Sequence, residues 1–521
     1  MLVIITLYSL LGAKMNSAFT VIDWAIFGTY FLVLTFTSVI LSQTKVKSTR
    51  DYYVGGNTVP MFAVAISVLA TSQSAATFLG GPEYSYGKDL TFLGFYFSAF
   101  LAVIFVAKVL IPRFYAINAV TVYELLAVRY GESAKKQAGV MFLIGRLFAS
   151  GARLYIGALA ISMILFLDIS PSHVAISIAI LMFGALAYAY YGGVKSIIFS
   201  DIIQAITYIG AGIAVLIYLY VSIDADFSTV VSTLEAENKL KLLDFSMSGG
   251  FSVWALLGGW LLLNIAAYGL DQDITQRALA CKNAKEAQKS LMLSIYLTIP
   301  VAILFLLIGL LLYLFYQHPE LSGLSTEVVQ KFEGEKITIF MYYILHEMPE
   351  GMRGLVTVGA VAAALSSSNS VLGAMSSVAI EDLYKPWKEK QGVSDEMHFV
   401  KAGRNAVLFF AVALSAMAML SYYWQRYTDL PLLNFALGVM AFAYTGLLGV
   451  FGAAIFSKRG NATTVPLALL GGFMTVLLLQ PYVLGDSLGE LLGFKLGFAW
   501  QMLGGTFVAY GVMMMGRDKL S

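Results

Sequence analysis

The sequence predicts an all-α polytopic membrane protein with about 13 transmembrane helices, because apolar runs of about 20 residues recur along nearly its whole length. Composition agrees. Charged residues are 12% of the 521 residues and apolar ones 59%, with a mean hydropathy of +0.78. A soluble chain carries about twice that share of charge. The third observation is that two of the runs are interrupted by polar residues at mid-depth.

In order, the runs fall at approximately 20–41, 60–85, 90–112, 136–167, 172–191, 196–222, 251–278, 287–316, 351–380, 401–424, 432–456, 464–484 and 496–515. Residues 1–19 precede them as an outer N-terminal segment, either signal-like or an upstream start included in error. Short cytoplasmic loops collect Lys and Arg. With the N-terminus outside, the inner loops receive Lys45, Lys47, Arg50, Arg113, Arg129, Lys135, Lys136, Lys195, Arg277, Lys282, Lys285, Lys289, the group from Lys385 to Arg404, and Lys458 with Arg459. The outer loops receive far fewer, so residues 516–521 form a cytoplasmic tail and the chain belongs in a cell (inner) membrane. Two outer segments, Ile223 to Gly250 and Gln317 to Glu350, are long and polar. The apolar patch Ile337 to Leu345 in the second predicts a short helix, either a lid or a surface helix.

The first interrupted run is Pro60 to Tyr86, broken by Thr71, Ser72, Gln73 and Ser74. Lipid offers no hydrogen-bond partners, so broken backbone at bilayer depth survives only when buried in protein or lining a wet cavity. Freed carbonyls and small hydroxyls are hard ligands that suit a cation near the midplane. The same polar residues also suit plain helix packing. Ala362 to Ser370, AAALSSSNS, adds hydroxyls and favours the ion. The second interrupted run, 251–278, turns polar well before its flanking lysines. Corresponding interruptions in two halves point to an inverted-repeat transporter with its site between the halves.

Four motifs then carry a family resemblance: TSQSA from Thr71, YGGVKSIIFSDIIQ from Tyr191, YGLDQDITQRALACKNAKEAQK from Tyr268, and AAALSSSNSVLGAMSS leading into EDLY at Tyr384. In this order, over roughly residues 20–460, the chain resembles the sodium/solute symporter family, the run from Asp271 to Lys289 being the most specific. The resemblance implies a leucine-transporter fold, a 5+5 inverted repeat of residues 60–222 and 251–456. It adds an extra N-terminal helix at 20–41 and two C-terminal helices at 464–515. It implies sodium-coupled import of a small organic solute by alternating access, with sodium as a transported ligand and no cofactor. One sodium is implied at the carbonyls of Ala70, Gln73 and Ala363 and the hydroxyls of Ser366 and Ser367. A second, present in some relatives, is implied at Asp201, Ser366, Asn369 and Ser370, with Asn369 standing where such relatives carry serine. Asp201 could instead pair at the cytoplasmic edge with a basic residue such as Lys195.

For the solute, positions matching a hexose-binding lysine and tyrosine gate hold Thr298 and Ala267, which argues against a closely similar sugar site, although Asn264 matches a sugar-contacting position. Arg146 and Arg153 lie seven residues apart on one helix face. An arginine near mid-span costs about 2.5–3.5 kcal/mol on insertion scales and calls for an anionic partner. Its planar donor fork suits a carboxylate, so a carboxylate-bearing solute of monocarboxylate, sialic acid or amino-acid type is expected. The sialic acid branch of the family uses an arginine on this helix, about one turn from Arg153. The alternatives are a structural ion pair with Asp201 or Asp271, or snorkelling of Arg146 to the inner interface. Ser72, Ser74, Thr77, Tyr96, Asn264 and Tyr268 complete the expected pocket.

Other chemistry is set aside. A net charge of +2 gives no basic surface for nucleic acid. The lone Cys281 excludes a disulfide framework and a cysteine-rich metal site. Gly81 to Asp89 has the wrong spacing and ending for a phosphate loop, His346–Glu347 extends to no metalloprotease pattern, and no nucleophile–base set is visible, so no enzymatic reaction is expected. The expected partners are sodium, a small organic solute and the lipid bilayer. A sugar symporter, a proton-coupled carrier of the same fold, and a channel or sensor remain as alternatives.

Overall fold

The computed structural model describes residues 19–42, 46–323, 331–332, 335–336, 338–428 and 432–517; expectations for residues 1–18 lie outside this set. The fold is all-helical apart from a two-residue antiparallel ladder, Lys331–Phe332 against Glu335–Lys336. Among the described residues seven helices are long and apolar enough to cross a membrane: Leu93–Ala116, Glu132–Phe166, Gly192–Val221, Ala284–Gln317, Met352–Glu389, Glu396–Tyr427 and Gly438–Phe456. The number rises to 10 if three bent helix pairs each count as one span, and Val21–Thr37 and Pro171–Leu186 are shorter apolar helices.

Breaks in the helices lower the count that length alone gives. Met61–Ser72 ends where Gln73 (φ −87°, ψ 143°) and Ser74 (φ −143°, ψ 173°) become extended, and the chain re-enters a helix at Ala75–Gly87. The Ser74 N–H donates to Thr77 Oγ1 at 2.7 Å, which satisfies a donor that the new helix start leaves unpaired. The second interrupted run divides into Val253–Gly269 and Gln272–Leu279, bent by 48°. Asp271 caps the second piece by accepting from the Asp273 N–H at 2.9 Å. The expected span 464–484 stops at Leu478, because Pro481 opens a segment turned by 62°. Pro171–Val221 is kinked at Gly193 (φ 59°), where a Cβ would sit 2.4 Å from the Tyr52 carbonyl oxygen.

Met352–Glu389 is the core of the molecule, with 89% of its apolar window buried, as expected for a helix apolar on all sides. It packs on Pro171–Val221 and Glu132–Phe166. Gly157 makes the crossing with Glu132–Phe166 a close one, since a Cβ there would lie 2.8 Å from the Ala364 methyl and 3.6 Å from that of Ala75. The N-terminal helix Val21–Ser42 is anchored by buried Asp23, whose Oδ1 accepts the N–H groups of Gly351 and Gly354, each at 2.8 Å, at the start of the core helix. The patch expected to be helical forms Ile339–His346. It packs inward, with Phe340 5.6 Å from the Phe78 ring and the Ile339 N–H donating to Glu83 at 2.7 Å. Phe97, Ile206, Ile217, Phe409 and Val412 stay exposed on the outside of the bundle, a surface that suits lipid.

Candidate functional site

The break at Gln73–Ser74 lies directly against the serine segment of the core helix. The Ser367 hydroxyl is 3.4 Å from the Gln73 carbonyl oxygen and donates to the Ala363 carbonyl at 3.2 Å. Ala70, Gln73, Ala363, Ser366 and Ser367 are all buried. The Ser366 hydroxyl turns the other way, about 100° around the helix, and donates to Asp201 Oδ1 at 2.9 Å. Of the five oxygens implied for one sodium, those of Gln73, Ala363 and Ser367 therefore meet at one point, while Ser366 is shared with the neighbouring carboxylate. These neutral oxygens form a hard-donor set that fits a sodium ion.

Asp201 is fully buried. Its partner is Arg277, 3.2 Å away, rather than Lys195, and Ser67 also donates to it. Ser370 donates to Asp273 at 3.2 Å, and the Asn369 amide nitrogen approaches Ser200 Oγ at 3.4 Å. Among the described residues the buried Asn369 amide oxygen has no hydrogen-bond partner, which makes it an acceptor well suited to a cation. Of the residues implied for a second ion, Ser366, Asn369 and Ser370 share one stretch of the core helix and Ser366 meets Asp201 of Pro171–Val221, while Ser370 and the Asn369 amide nitrogen face other partners.

Among the residues expected to touch solute, Tyr268 meets Ser72, and Tyr96 approaches the Gln73 side chain. These pairs gather around the break. Asn264 points at the Tyr96 helix, with its amide nitrogen 3.3 Å from Ser98 Oγ and 3.4 Å from the Phe95 carbonyl. The Thr77 hydroxyl is engaged in capping, accepting from the Ser74 N–H and donating to the Ser74 carbonyl at 2.8 Å. Arg153 stands one turn from Gly157 and is only partly buried. Its Nη2 lies 3.2 Å from Met440 Sδ, and no described carboxylate is within salt-bridge distance of it.

Arg146 is different. It neither snorkels nor waits for a ligand: its Nη1 donates to Asp271 at 2.7 Å and its Nη2 to Asp273. Arg277, expected in a loop, is buried on Gln272–Leu279. Its guanidinium donates to Asp273 Oδ1 at 2.9 Å and to Ser67 Oγ at 2.8 Å. Tyr444 donates to Asp271. Sequence reasoning assigned no role to Ser67, Asp273 or Tyr444. The available signal was the Asp273–Arg277 spacing of four, one helical turn apart within the most specific motif.

A helical bundle in which a broken helix presents its carbonyls to the serines of a buried neighbour is a membrane carrier of the interrupted-helix class. A sequence profile of the sodium:solute symporter family matches residues 52–473, and the chain belongs to that family. It is 27% identical over 465 residues to the sodium/sialic acid symporter SiaT of Proteus mirabilis, covering 88% of this chain and 89% of that one. It is 29% identical over 440 residues to the sodium/sialic acid symporter NanT of Aliivibrio fischeri, with 83% and 82% covered. Its fold matches that of a substrate-bound, outward-open Na+-coupled sialic acid symporter with a TM-score of 0.80 at 23% identity, over 95% of this chain and 97% of the other.

Proposed function

We propose that the protein is a sodium-coupled symporter that imports a small carboxylate-bearing solute by alternating access. The observation that carries this reading is the meeting of Gln73, Ala363 and Ser367 oxygens across the broken helix. Sodium binding there joins the break to the core helix and completes the adjoining pocket, and solute and ion then leave together on the inner side. Each sodium moving down a 100 mV potential supplies about 2.3 kcal/mol before its concentration gradient is counted. Arg153, a guanidinium without a carboxylate partner among the described residues, is the proposed anchor for the solute carboxylate. The naming of two relatives for sialic acid, itself a carboxylate, supports the same class.

The arrangement proposed around this site is the one read from the sequence: 13 spans, inverted repeats at 60–222 and 251–456, the N-terminus outside and the C-terminus inside. The interruptions at Gln73 and Asp271, one in each repeat, support it. Asp201, Ser366, Asn369 and Ser370 are proposed for a second sodium, supported by the unpartnered Asn369 oxygen. A proton-coupled carrier is the second reading, favoured by the buried carboxylates of Asp201, Asp271 and Asp273. Uptake into proteoliposomes separates the two. The sodium reading expects accumulation driven by a sodium gradient and abolished when potassium replaces sodium; uptake driven by a pH gradient alone overturns it. A thermal-shift screen of carboxylates, sugars and amino acids in sodium then names the solute class.

A further inference from the structure

Met61–Ser72, with residues 53–59 that lead into it, is tied to Gln272–Leu279, one piece from each interrupted run, and Arg277 donates to Ser67 at 2.8 Å. The Val59 N–H donates to the Ala280 carbonyl at 3.0 Å, the Asn57 amide to the Leu279 carbonyl at 2.5 Å, and the Gln276 amide to the Tyr53 carbonyl at 2.6 Å. They form one unit. That unit meets Glu132–Phe166, Pro171–Val221 and Met352–Glu389 through a continuous chain of buried charge. Arg146 holds Asp271 and Asp273, Asp273 shares Arg277, and Arg277 reaches Asp201. The serine segment takes part, with Ser370 on Asp273 and Ser366 on Asp201. Sodium at Gln73 and Ser367 bridges the same interface.

Buried ion pairs are a poor source of stability, because desolvation offsets most of the attraction and well-packed apolar side chains often do as well. What charge does offer is separability. When the interface opens, water enters and rehydrates ions whose burial was costly, whereas a dry apolar seam gains nothing from wetting. We propose that Arg146, with Asp271 and Asp273, is a positioning latch that holds the Gln272–Leu279 half-helix closed, in parallel with sodium. The inference rests on the sodium-symport reading above. It assigns Arg146 a conformational role and leaves solute contact to Arg153.

The chain carries its own reporter. Cys281 is its single cysteine, fully buried just beyond that half-helix, with its carbonyl held by the Tyr115 hydroxyl at 2.8 Å. Opening of the half-helix uncovers the thiol. Maleimide labelling of the purified full chain, in sodium and in potassium, reads this directly. Wild type is expected to label at least about fivefold more slowly in sodium, a typical coupling between linked sites. Arg146→Gln is expected to label fast in both salts while keeping its sodium-dependent thermal shift, and Arg146→Lys to regain much of the protection. Labelling of Arg146→Gln at wild-type rates in both salts overturns the latch, as does fast labelling that comes with loss of cooperative unfolding and no rescue by lysine. If wild type lacks any sodium shift, the ion-site reading fails, and the latch is still decided by comparing Arg146→Gln with wild type in potassium.

Discussion

The Ser367 hydroxyl and the Gln73 carbonyl lie 3.4 Å apart although 294 positions separate them in the chain. That contact joins an extended turn to a core-helix hydroxyl that also reaches the Ala363 carbonyl, and it marks the place proposed for a dehydrated cation. Removing the hydroxyl tests it. Ser367→Ala is expected to raise the sodium concentration for half-maximal uptake by about tenfold, the effect of about 1.4 kcal/mol, with little change in protein abundance. Unaltered sodium activation in this variant would falsify the ion assignment.

Arg153 is expected to govern solute affinity without touching sodium affinity. Charge-assisted hydrogen bonds contribute about 1.5–3 kcal/mol, so Arg153→Gln should weaken carboxylate binding by roughly one to two orders of magnitude. Arg153→Lys is expected to retain part of it, since a point charge replaces a planar fork. Binding of an acid and of its neutral amide, compared by calorimetry in both variants, checks this; equal losses for the two ligands would point to a packing role instead.

Asp23 should act on stability alone. Its carboxylate takes two N–H groups at the start of the core helix, and Asp23→Ala is expected to cost about 1–2 kcal/mol. The melting temperature of the purified protein falls accordingly, while sodium activation of the remaining folded protein keeps its midpoint. A shifted midpoint would mean that the N-terminal helix takes part in coupling.

Gly309 marks another close crossing, where a Cβ would lie 2.2 Å from the Pro82 carbonyl oxygen. Gly309→Ala is expected to lose about 1–3 kcal/mol through forced separation of Ala75–Gly87 from Ala284–Gln317. Reduced thermal stability with a preserved sodium shift is the expected pattern, and an unchanged melting point would show that the backbone yields there.

The two interruptions and the serine segment were legible because polarity inside an apolar run has few explanations in lipid. The recurring apolar runs marked the elements, and the family resemblance supplied which oxygens to compare. The charge network was not legible. Arg277 looks like a loop residue by its place next to Lys282 and Lys285, yet it is buried because Asp201 and Asp273 receive it. Its link to Asp201 spans 76 positions, and no local periodicity encodes such a pairing. The sequence left Asp271 open as a partner of Arg146 but had no means to add Asp273, which the bend between Gly269 and Gln272 brings to the same guanidinium, or Tyr444, which reaches it from Gly438–Phe456.

Gly157 gives the ion site its gauge. By lying bare against Ala75 and Ala364, it lets Glu132–Phe166 close on both the segment after the break and the segment before Ser366, the two that carry the carbonyl and hydroxyl proposed as ion ligands. A single added methyl there is expected to widen the gap between the two, shifting preference away from lithium and toward larger alkali ions, which competition among lithium, sodium and potassium would reveal. On the proposed reading, discrimination between ions rests on an atom the protein leaves out.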